Sequence, residues 1–278
     1  MSALLNAQAK KILLMMGIFL LVANIAGFFI SLKNPDVYTE EKGRFKNDVL
    51  LSDKRFFSIV DQDLANRKIY ASKLNEAVNL AIVHYWGDSG THKYNFRIPF
   101  YENFILFGLG YLIPDWFGKW EFFDYKKAVE RSVGLCSQHA IIISQILKEK
   151  NIPAKMVGLK GHVVVTAQVD EKKAEWWILD GDYGVVIEHN INEIEKQPEI
   201  VRPFYQRKGY DSPTIQVLVD IYGKEGNSVS KLSRHYPERY YFETLSYILK
   251  WIIPFGLMVP YVRRGENRAR APYQGEEY

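Results

Sequence analysis

The chain has 278 residues, a formal net charge of +4 and 47% hydrophobic residues. This length supports one sizeable core, or one domain together with membrane segments. The charge is too small to indicate a nucleic-acid-binding protein, and the basic residues lack the aromatic interleaving and groove-lining clusters of such proteins, so we expect no nucleic-acid partner. The aromatic share of 14% fits a chain that works at a membrane surface.

The N-terminal segment 12–32 is apolar apart from Asn24, and about 20 such residues span the bilayer core as a helix. Lys10 and Lys11 precede it, which predicts a cytoplasmic N-terminus over residues 1–11. The alternative is a cleaved signal peptide, whose apolar region has roughly 7–15 residues and ends in a small-x-small site. Because this segment is longer and ends without such a site, we predict an uncleaved transmembrane anchor.

Residues 33–52 are polar and mixed in composition, and a helix is expected at 56–65, so that 33–69 forms a linker and a leading helix. In the next segment apolar residues recur at steps of three and four, which predicts a helix over 72–86. Its expected N-cap is Ser72.

Residues 96–120, here called the aromatic insert, are rich in aromatic residues, glycine and proline, and are too interrupted for a membrane span. They fit a loop or short helix that packs on the core or leans into the outer membrane–water interface. A buried core segment is the alternative reading of the same composition.

The clearest helix is expected at 136–150, where apolar residues form one stripe. After it the pattern changes to a period of two or to continuous apolar runs, which predicts strands. The predicted strands are 154–158, 162–169, 175–179 and 185–187. A further helix follows at 212–222. Helices, then an antiparallel sheet, then helices indicate an α+β domain over 70–240.

A second apolar stretch at 245–262 is interrupted by Lys250 and two prolines, but Arg263 and Arg264 follow it closely. Positive flanks on both apolar segments predict that both termini are cytoplasmic, with a basic cytoplasmic tail at 263–278. We favour a second transmembrane span over an interfacial or re-entrant segment. The domain between the two segments then lies outside the cytoplasm, and a chain with one cysteine forms no internal disulfide there.

Cys136, the one cysteine of the chain, begins the predicted helix at 136–150. The first turn of a helix carries unpaired N–H groups and a partial positive charge, and both stabilise the nucleophilic thiolate. Gly134 permits a close approach by a substrate backbone, while the backbone N–H of Cys136 and the side chain of Gln138 are candidate oxyanion donors. The alternative is a cysteine that only fills space in the core.

His162 and Asp180 lie on the two strands of a predicted hairpin with a polar turn at 170–173. A turn centred on residue 171 places the two side chains directly opposite one another, and a small shift leaves them near neighbours. One ring nitrogen of His162 then contacts Asp180 and the other faces Cys136, which is the nucleophile–base–orienter arrangement of a triad. A core histidine and a turn aspartate are the alternatives.

Four short motifs in this order resemble the transglutaminase-like superfamily: Gly-Leu-Cys at 134–136, Ile-Pro at 152–153, Gly-His at 161–162 and Trp-x-Leu-Asp at 177–180. The resemblance covers roughly residues 70–190 and is closest to bacterial members that are membrane-anchored or exported. It implies a papain-like core with Cys136 as nucleophile, His162 as base and Asp180 as orienting carboxylate. It also implies attack on a protein or peptide amide, with hydrolysis, amide exchange or crosslinking as outcomes.

One departure from that family concerns the orienting carboxylate. Many members have Asp-Pro after the Trp-x-Leu run, whereas this chain has Asp180-Gly-Asp182, so Asp182 is a rival orienter beyond the predicted strand. His139 lies one turn from Cys136, and together with His162 it suggests a zinc site. A structural zinc site needs four ligands, so we expect no metal and no cofactor.

We predict a membrane-anchored, transglutaminase-like thiol enzyme of the bacterial cell envelope, which is a cysteine hydrolase, a protease or an acyltransferase. Its domain is expected on the periplasmic side of the inner membrane. The rival prediction is a non-catalytic assembly or scaffold module of an envelope export or polysaccharide system. The second apolar segment and the aromatic insert favour this rival, because both suit docking to membrane partners. A protease that processes one envelope substrate is the third possibility.

Overall fold

The computed structural model describes residues 7–34, 51–62, 66–84, 90–223 and 226–269. The chain divides into two compact units. The first, here called the helical unit, comprises the described parts of Met1–Ser31, Arg97–Gly118 and Phe242–Tyr278. The second, the α+β unit, comprises those of Leu32–Phe96 and Lys119–Tyr241.

Helices account for most of the regular structure, and their lengths range from one turn to more than eight turns. In chain order they are α1 Ala7–Ala26, α2 Asp53–Val60, α3 Arg67–Ala81, α4 Gly90–Lys93, α5 Phe104–Leu112, α6 Pro114–Phe117, α7 Tyr125–Arg131, α8 Cys136–Glu149, α9 Ile191–Lys196, α10 Arg202–Lys208, α11 Ser212–Tyr222, α12 Leu232–His235 and α13 Pro237–Ala269. A 3₁₀ turn at Pro198–Val201 precedes α10.

The strands all belong to the α+β unit. They are β1 Val83–His84, β2 Val133–Gly134, β3 Ala154–Leu159, β4 His162–Asp170, β5 Glu175–Asp180, β6 Val185–Ile187 and β7 Ser228–Ser230. Five of them form an antiparallel sheet in the order β6-β5-β4-β3-β7, while β1 and β2 form a separate parallel pair. Helix α8 packs on β3 and β4 and buries its apolar stripe there.

The α+β prediction is confirmed at the level of a mixed fold with helices and an antiparallel sheet. Helix α8 and strands β3 to β6 begin at their predicted residues and end within one residue of prediction. Helix α3 differs, because it begins at Arg67 and ends at Ala81. The side chain of Asn66, rather than that of Ser72, caps it by accepting hydrogen bonds from the first turn. Much of the predicted linker, at 35–50, lies outside the described residues.

Two helices are long and apolar enough to cross a membrane, namely α1 and the stretch Pro237–Tyr261 of α13. This is consistent with membrane anchoring. The first apolar helix lies further toward the N-terminus than the predicted 12–32, and the chain turns after Ala26. The second helix runs without a break through Pro254 and Pro260, so neither proline ends it.

Lys250 interrupts the second apolar stretch in the sequence, but in the helical unit it is buried and bonded. Its Nζ donates a hydrogen bond to the carbonyl oxygen of Glu102 at 2.6 Å. Its own carbonyl oxygen accepts one from Asn24 Nδ2 at 2.5 Å. Polar side chains in an apolar helix pair in this way because an unpaired one is expensive away from water.

The aromatic insert forms α5 and α6, and its part Arg97–Gly118 belongs to the helical unit. Asn103 donates to Ser246 Oγ at 3.0 Å, which links the insert to α13. The insert also has an exposed apolar surface, made by Tyr111, Leu112, Ile113 and Trp116. Exposed apolar residues close in sequence are typical of a segment that contacts a membrane or a partner.

A substitution at Gly17 can test the packing of α1 on α13. An added Cβ would lie 2.6 Å from the carbonyl oxygen of Pro254 and 2.8 Å from Met258 Cγ. We expect Gly17→Ala to destabilise the full chain by about 1–3 kcal/mol, because overpacking outweighs the better helix propensity of alanine. Thermal unfolding in detergent measures this change.

The matched control is Gly256→Ala, because an added Cβ at that position of α13 has no described atom within 4 Å apart from the backbone of its own helix and its chain neighbours. There the propensity gain should dominate, and stability should stay constant or rise by up to about 1 kcal/mol. Equal unfolding midpoints for the two variants would contradict the packing of α1 on α13.

Candidate active site

Cys136 is the first residue of α8, and its side chain is half-buried. The preceding residue, Leu135, is extended (φ −90°, ψ 175°) and supplies no side-chain cap. The N–H of Gln138, in the first turn of α8, already donates to the carbonyl oxygen of Leu135 at 2.9 Å. A helix start still carries a partial positive charge, which favours a thiolate at Cys136.

Gln138 has a structural role that differs from the predicted role as an oxyanion donor. Its Nε2 donates to the carbonyl oxygen of Phe122 at 2.7 Å, and its Oε1 accepts from the N–H of Phe122 at 2.8 Å and from Arg131 Nη2 at 3.0 Å. An added Cβ at Gly134 would lie 2.5 Å from Gln138 Cβ. The glycine thus makes room for this buried glutamine.

His162 and Asp180 meet diagonally across the β4–β5 pair. Val165 pairs with Leu179, so Asp180 is not directly opposite His162, and the predicted direct pairing is wrong by two residues. The turn comprises residues 171–174 rather than 170–173, and the register shifts before it. Because side chains two residues apart share a face, His162 Nε2 still reaches Asp180 Oδ2 at 2.9 Å.

Asp180 is fully buried and accepts hydrogen bonds from three groups. Besides His162, the hydroxyl of Tyr205 donates to Oδ2 at 2.6 Å and the backbone N–H of Tyr183 donates to Oδ1 at 3.1 Å. Burial and the Asp180 carboxylate raise the pKa of Tyr205 well above its usual value, so the phenol keeps its proton and acts as a donor. These contacts fix the carboxylate in one orientation.

His162 is buried, and its second ring nitrogen faces the thiol. Burial by itself lowers the pKa of His162, but the charge and hydrogen bond of Asp180 and the hydrogen bond with Cys136 outweigh it. The net result raises the pKa of His162 well above 6.5. A protonated imidazole beside a thiol stabilises the thiolate, so the two groups can act as an ion pair. The structure thus brings Cys136, His162 and Asp180 together.

Asp182, the rival orienter, is also buried, but its hydrogen-bond partner is not His162. Its Oδ1 accepts from His84 Nδ1 at 2.5 Å. Its Oδ2 lies 3.9 Å from His162 Nδ1, beyond hydrogen-bond distance. Burial raises the pKa of Asp182, but the neighbouring charges of His139 and His84 and the hydrogen bond from His84 bring it below its usual value. Asp180 is therefore the carboxylate that is bonded to His162.

The zinc pair suggested for His139 and His162 is not formed. Both ring nitrogens of His139 lie at hydrogen-bond distance from backbone carbonyl oxygens, that of Leu135 at 2.9 Å and that of Ile82 at 3.1 Å. His84 is buried beside Asp182. Burial lowers the pKa of His84, and the hydrogen bond with Asp182 offsets this only in part.

Sequence reasoning missed several residues that support the site. Tyr205 gave no signal, because it lies 25 residues beyond Asp180 on a separate helix. Asn75 and Asn79 did carry a signal, since two amides four residues apart interrupt the apolar face of α3. Asn75 donates to the carbonyl oxygen of Asp180 at 3.3 Å and Asn79 to that of Asp182 at 2.8 Å. They hold the chain that carries both carboxylates.

Comparisons with protein-family models, with curated proteins and with solved structures give no match for this chain. The transglutaminase-like resemblance therefore rests on the sequence motifs and stays a prediction.

The Tyr205 hydroxyl can be tested by its removal. Tyr205→Phe takes a donor away from a buried carboxylate, and we expect a loss of about 1.5–3 kcal/mol in the free energy of unfolding. The matched control is Tyr222→Phe, because the Tyr222 hydroxyl contacts that of Tyr205 at 3.3 Å. This neutral pair is worth about 0.5–1.5 kcal/mol. Urea unfolding measures both, and equal losses would argue against the Asp180 contact.

Proposed function

We propose that this protein is a membrane-anchored thiol enzyme with a transglutaminase-like core that attacks an amide through a thioacyl intermediate. The observation that carries the proposal is the position of His162, with Nε2 bonded to Asp180 at 2.9 Å and Nδ1 toward the thiol of Cys136 at a helix start. Nucleophile, base and orienting carboxylate come from three different elements, α8, β4 and β5.

In the proposed reaction the Cys136 thiolate attacks the carbonyl carbon of the amide and forms a C–S bond. The first N–H groups of α8 can donate to the oxygen as negative charge develops on it. His162 then gives its proton to the leaving nitrogen, so that the C–N bond breaks and an amine departs. Water or a second amine attacks the thioester while His162 accepts its proton, which regenerates the thiolate. Asp180 holds the imidazole in position throughout.

We also propose a location for the α+β unit relative to the membrane. Lys10 and Lys11 lie in the first turns of α1, ahead of its apolar stretch, and Arg263 and Arg264 follow the second apolar stretch, which supports cytoplasmic termini. The α+β unit then lies on the outer face of a bacterial inner membrane, with protein or peptide amides as substrates.

The rival function is a non-catalytic scaffold for an envelope export or polysaccharide system. The exposed apolar surface of the insert, which includes Leu112 and Trp116, favours it because such a surface suits a membrane partner. The two functions differ in one measurable property, which is the reactivity of Cys136.

Alkylation of Cys136 by iodoacetamide separates these functions. A thiol with the ordinary pKa of about 8.5 is only roughly 0.3% ionised at pH 6. The raised pKa of His162 keeps the ring protonated at that pH, and the imidazolium stabilises the thiolate. We expect labelling at pH 6 to be at least about tenfold faster than in His162→Ala. Labelling that rises only above about pH 8.5, with or without His162, would refute the enzyme and leave the scaffold.

Acyl transfer to Cys136 tests the role of Asp180. With a p-nitrophenyl ester as acyl donor, Asp180→Asn should slow the release of nitrophenol by about 10²-fold or more, because the base loses its orienting charge. The matched control is Asp220→Asn, which changes an exposed carboxylate on α11 whose hydrogen-bond donor is Gln216. The control should react like the unchanged protein. Equal rates for the two variants would remove Asp180 from the mechanism.

A further inference from the structure

The buried carboxylate of Asp182 is not used by the proposed mechanism, although it adjoins the thiol. Cys136 Sγ, a ring nitrogen of His162 and a carboxylate oxygen of Asp182 all lie within 4.8 Å of one another. Among the described residues no hydrogen-bond donor contacts Asp182 Oδ2, and the residue is 98% buried. A buried carboxylate oxygen without a donor is costly, so its orientation toward the other two atoms needs an explanation.

The geometry points to a binding site for one Zn²⁺ ion, with Cys136 Sγ, His162 Nδ1 and Asp182 Oδ2 as ligands. Zinc takes thiolate, imidazole and carboxylate ligands in tetrahedral geometry at about 2.0–2.3 Å. Nitrogen and oxygen ligands of such an ion are roughly 3.4 Å apart. His162 Nδ1 and Asp182 Oδ2 are 3.9 Å apart, so a small side-chain movement closes the site.

The surrounding contacts suit an ion at this position. Metal-bound histidine usually donates its other ring N–H to a carboxylate, and His162 has Asp180 on its Nε2. The second oxygen of Asp182 is likewise bonded to His84. A thiolate and a carboxylate balance the charge of Zn²⁺, which matters in a buried site. Three protein ligands leave one position for water.

Zinc binding has a chemical consequence for the thiol. The ion binds the lone pair of His162 Nδ1, the thiolate of Cys136 and the carboxylate of Asp182. The proton shared by Cys136 and His162 is released to solvent. The thiolate is then a ligand rather than a nucleophile. Zinc would therefore inhibit the enzyme reversibly. The inhibition by zinc rests on the proposed function, whereas the binding of the ion does not.

Cobalt(II) serves as a spectroscopic substitute for zinc in the test. Titration of the full chain in detergent should give one bound Co²⁺ with a thiolate-to-cobalt charge-transfer band, and Cys136→Ser should abolish that band. Asp182→Asn should weaken binding by at least about tenfold, and Asp180→Asn, which removes the outer partner of His162, by about 10–100-fold. His189→Ala, which removes a more exposed histidine bonded to Glu193, is the control and should bind like the unchanged protein.

A second measurement does not depend on the folding of any variant. In the unchanged protein, stoichiometric Zn²⁺ should displace Co²⁺ and slow alkylation of Cys136, and a chelator should restore the rate. Two results would overturn the site. One is the absence of a thiolate-to-cobalt band, and the other is cobalt binding that is retained in Cys136→Ser but lost in His189→Ala. Failure of the metal site leaves fast labelling at pH 6 intact in chelator-treated protein. Failure of the enzyme proposal leaves the cobalt spectrum intact, so the two results are distinguishable.

Discussion

The α+β unit is organised around the need to satisfy two buried carboxylates that are separated only by Gly181. Desolvation of an ionised carboxylate costs several kcal/mol, so each needs donors that the protein supplies in place of water. Asp180 receives them from β4, α10 and its own turn, and Asp182 receives one from β1. Gly181 passes so close to α8 that an added Cβ would lie 2.7 Å from Ile143 Cδ1. Packing and electrostatics therefore fix the same short segment beside the helix that carries the thiol.

Features set by local sequence could be predicted, and features set by distant contacts could not. The start of α8 at Cys136 and the strands that follow it depend on apolar periodicity within short windows. The register of the hairpin depends on the conformation of its turn, where Ala174 has a φ of +50° that composition does not reveal. Tyr205 and His84 reach the site from separate elements. No spacing in the sequence indicates that they meet the carboxylates.

In the second apolar helix, too, the composition alone is a poorer guide than the contacts that its residues make. Its lysine and its prolines count against a membrane span when each residue is judged alone. In the structure the ammonium group of Lys250 donates a hydrogen bond to a carbonyl oxygen 148 residues earlier in the chain, and the helix is continuous. Pro254 turns its carbonyl oxygen toward the glycine of α1. The features that weakened the prediction are therefore contacts by which the helical unit is held together.

The distribution of the site along the chain has a consequence for the life of the protein. The groups around the thiol extend from His84 to Tyr205, and the parallel pairing of β1 with β2 joins residues about 50 positions apart. Closing loops of this size is entropically costly and delays such contacts during folding. A nascent or damaged chain consequently lacks the contacts that place His162 between Asp180 and Cys136. Only the completed domain assembles this group of side chains, so that under the proposed function the fold and the reactivity of the thiol are acquired, and lost, together.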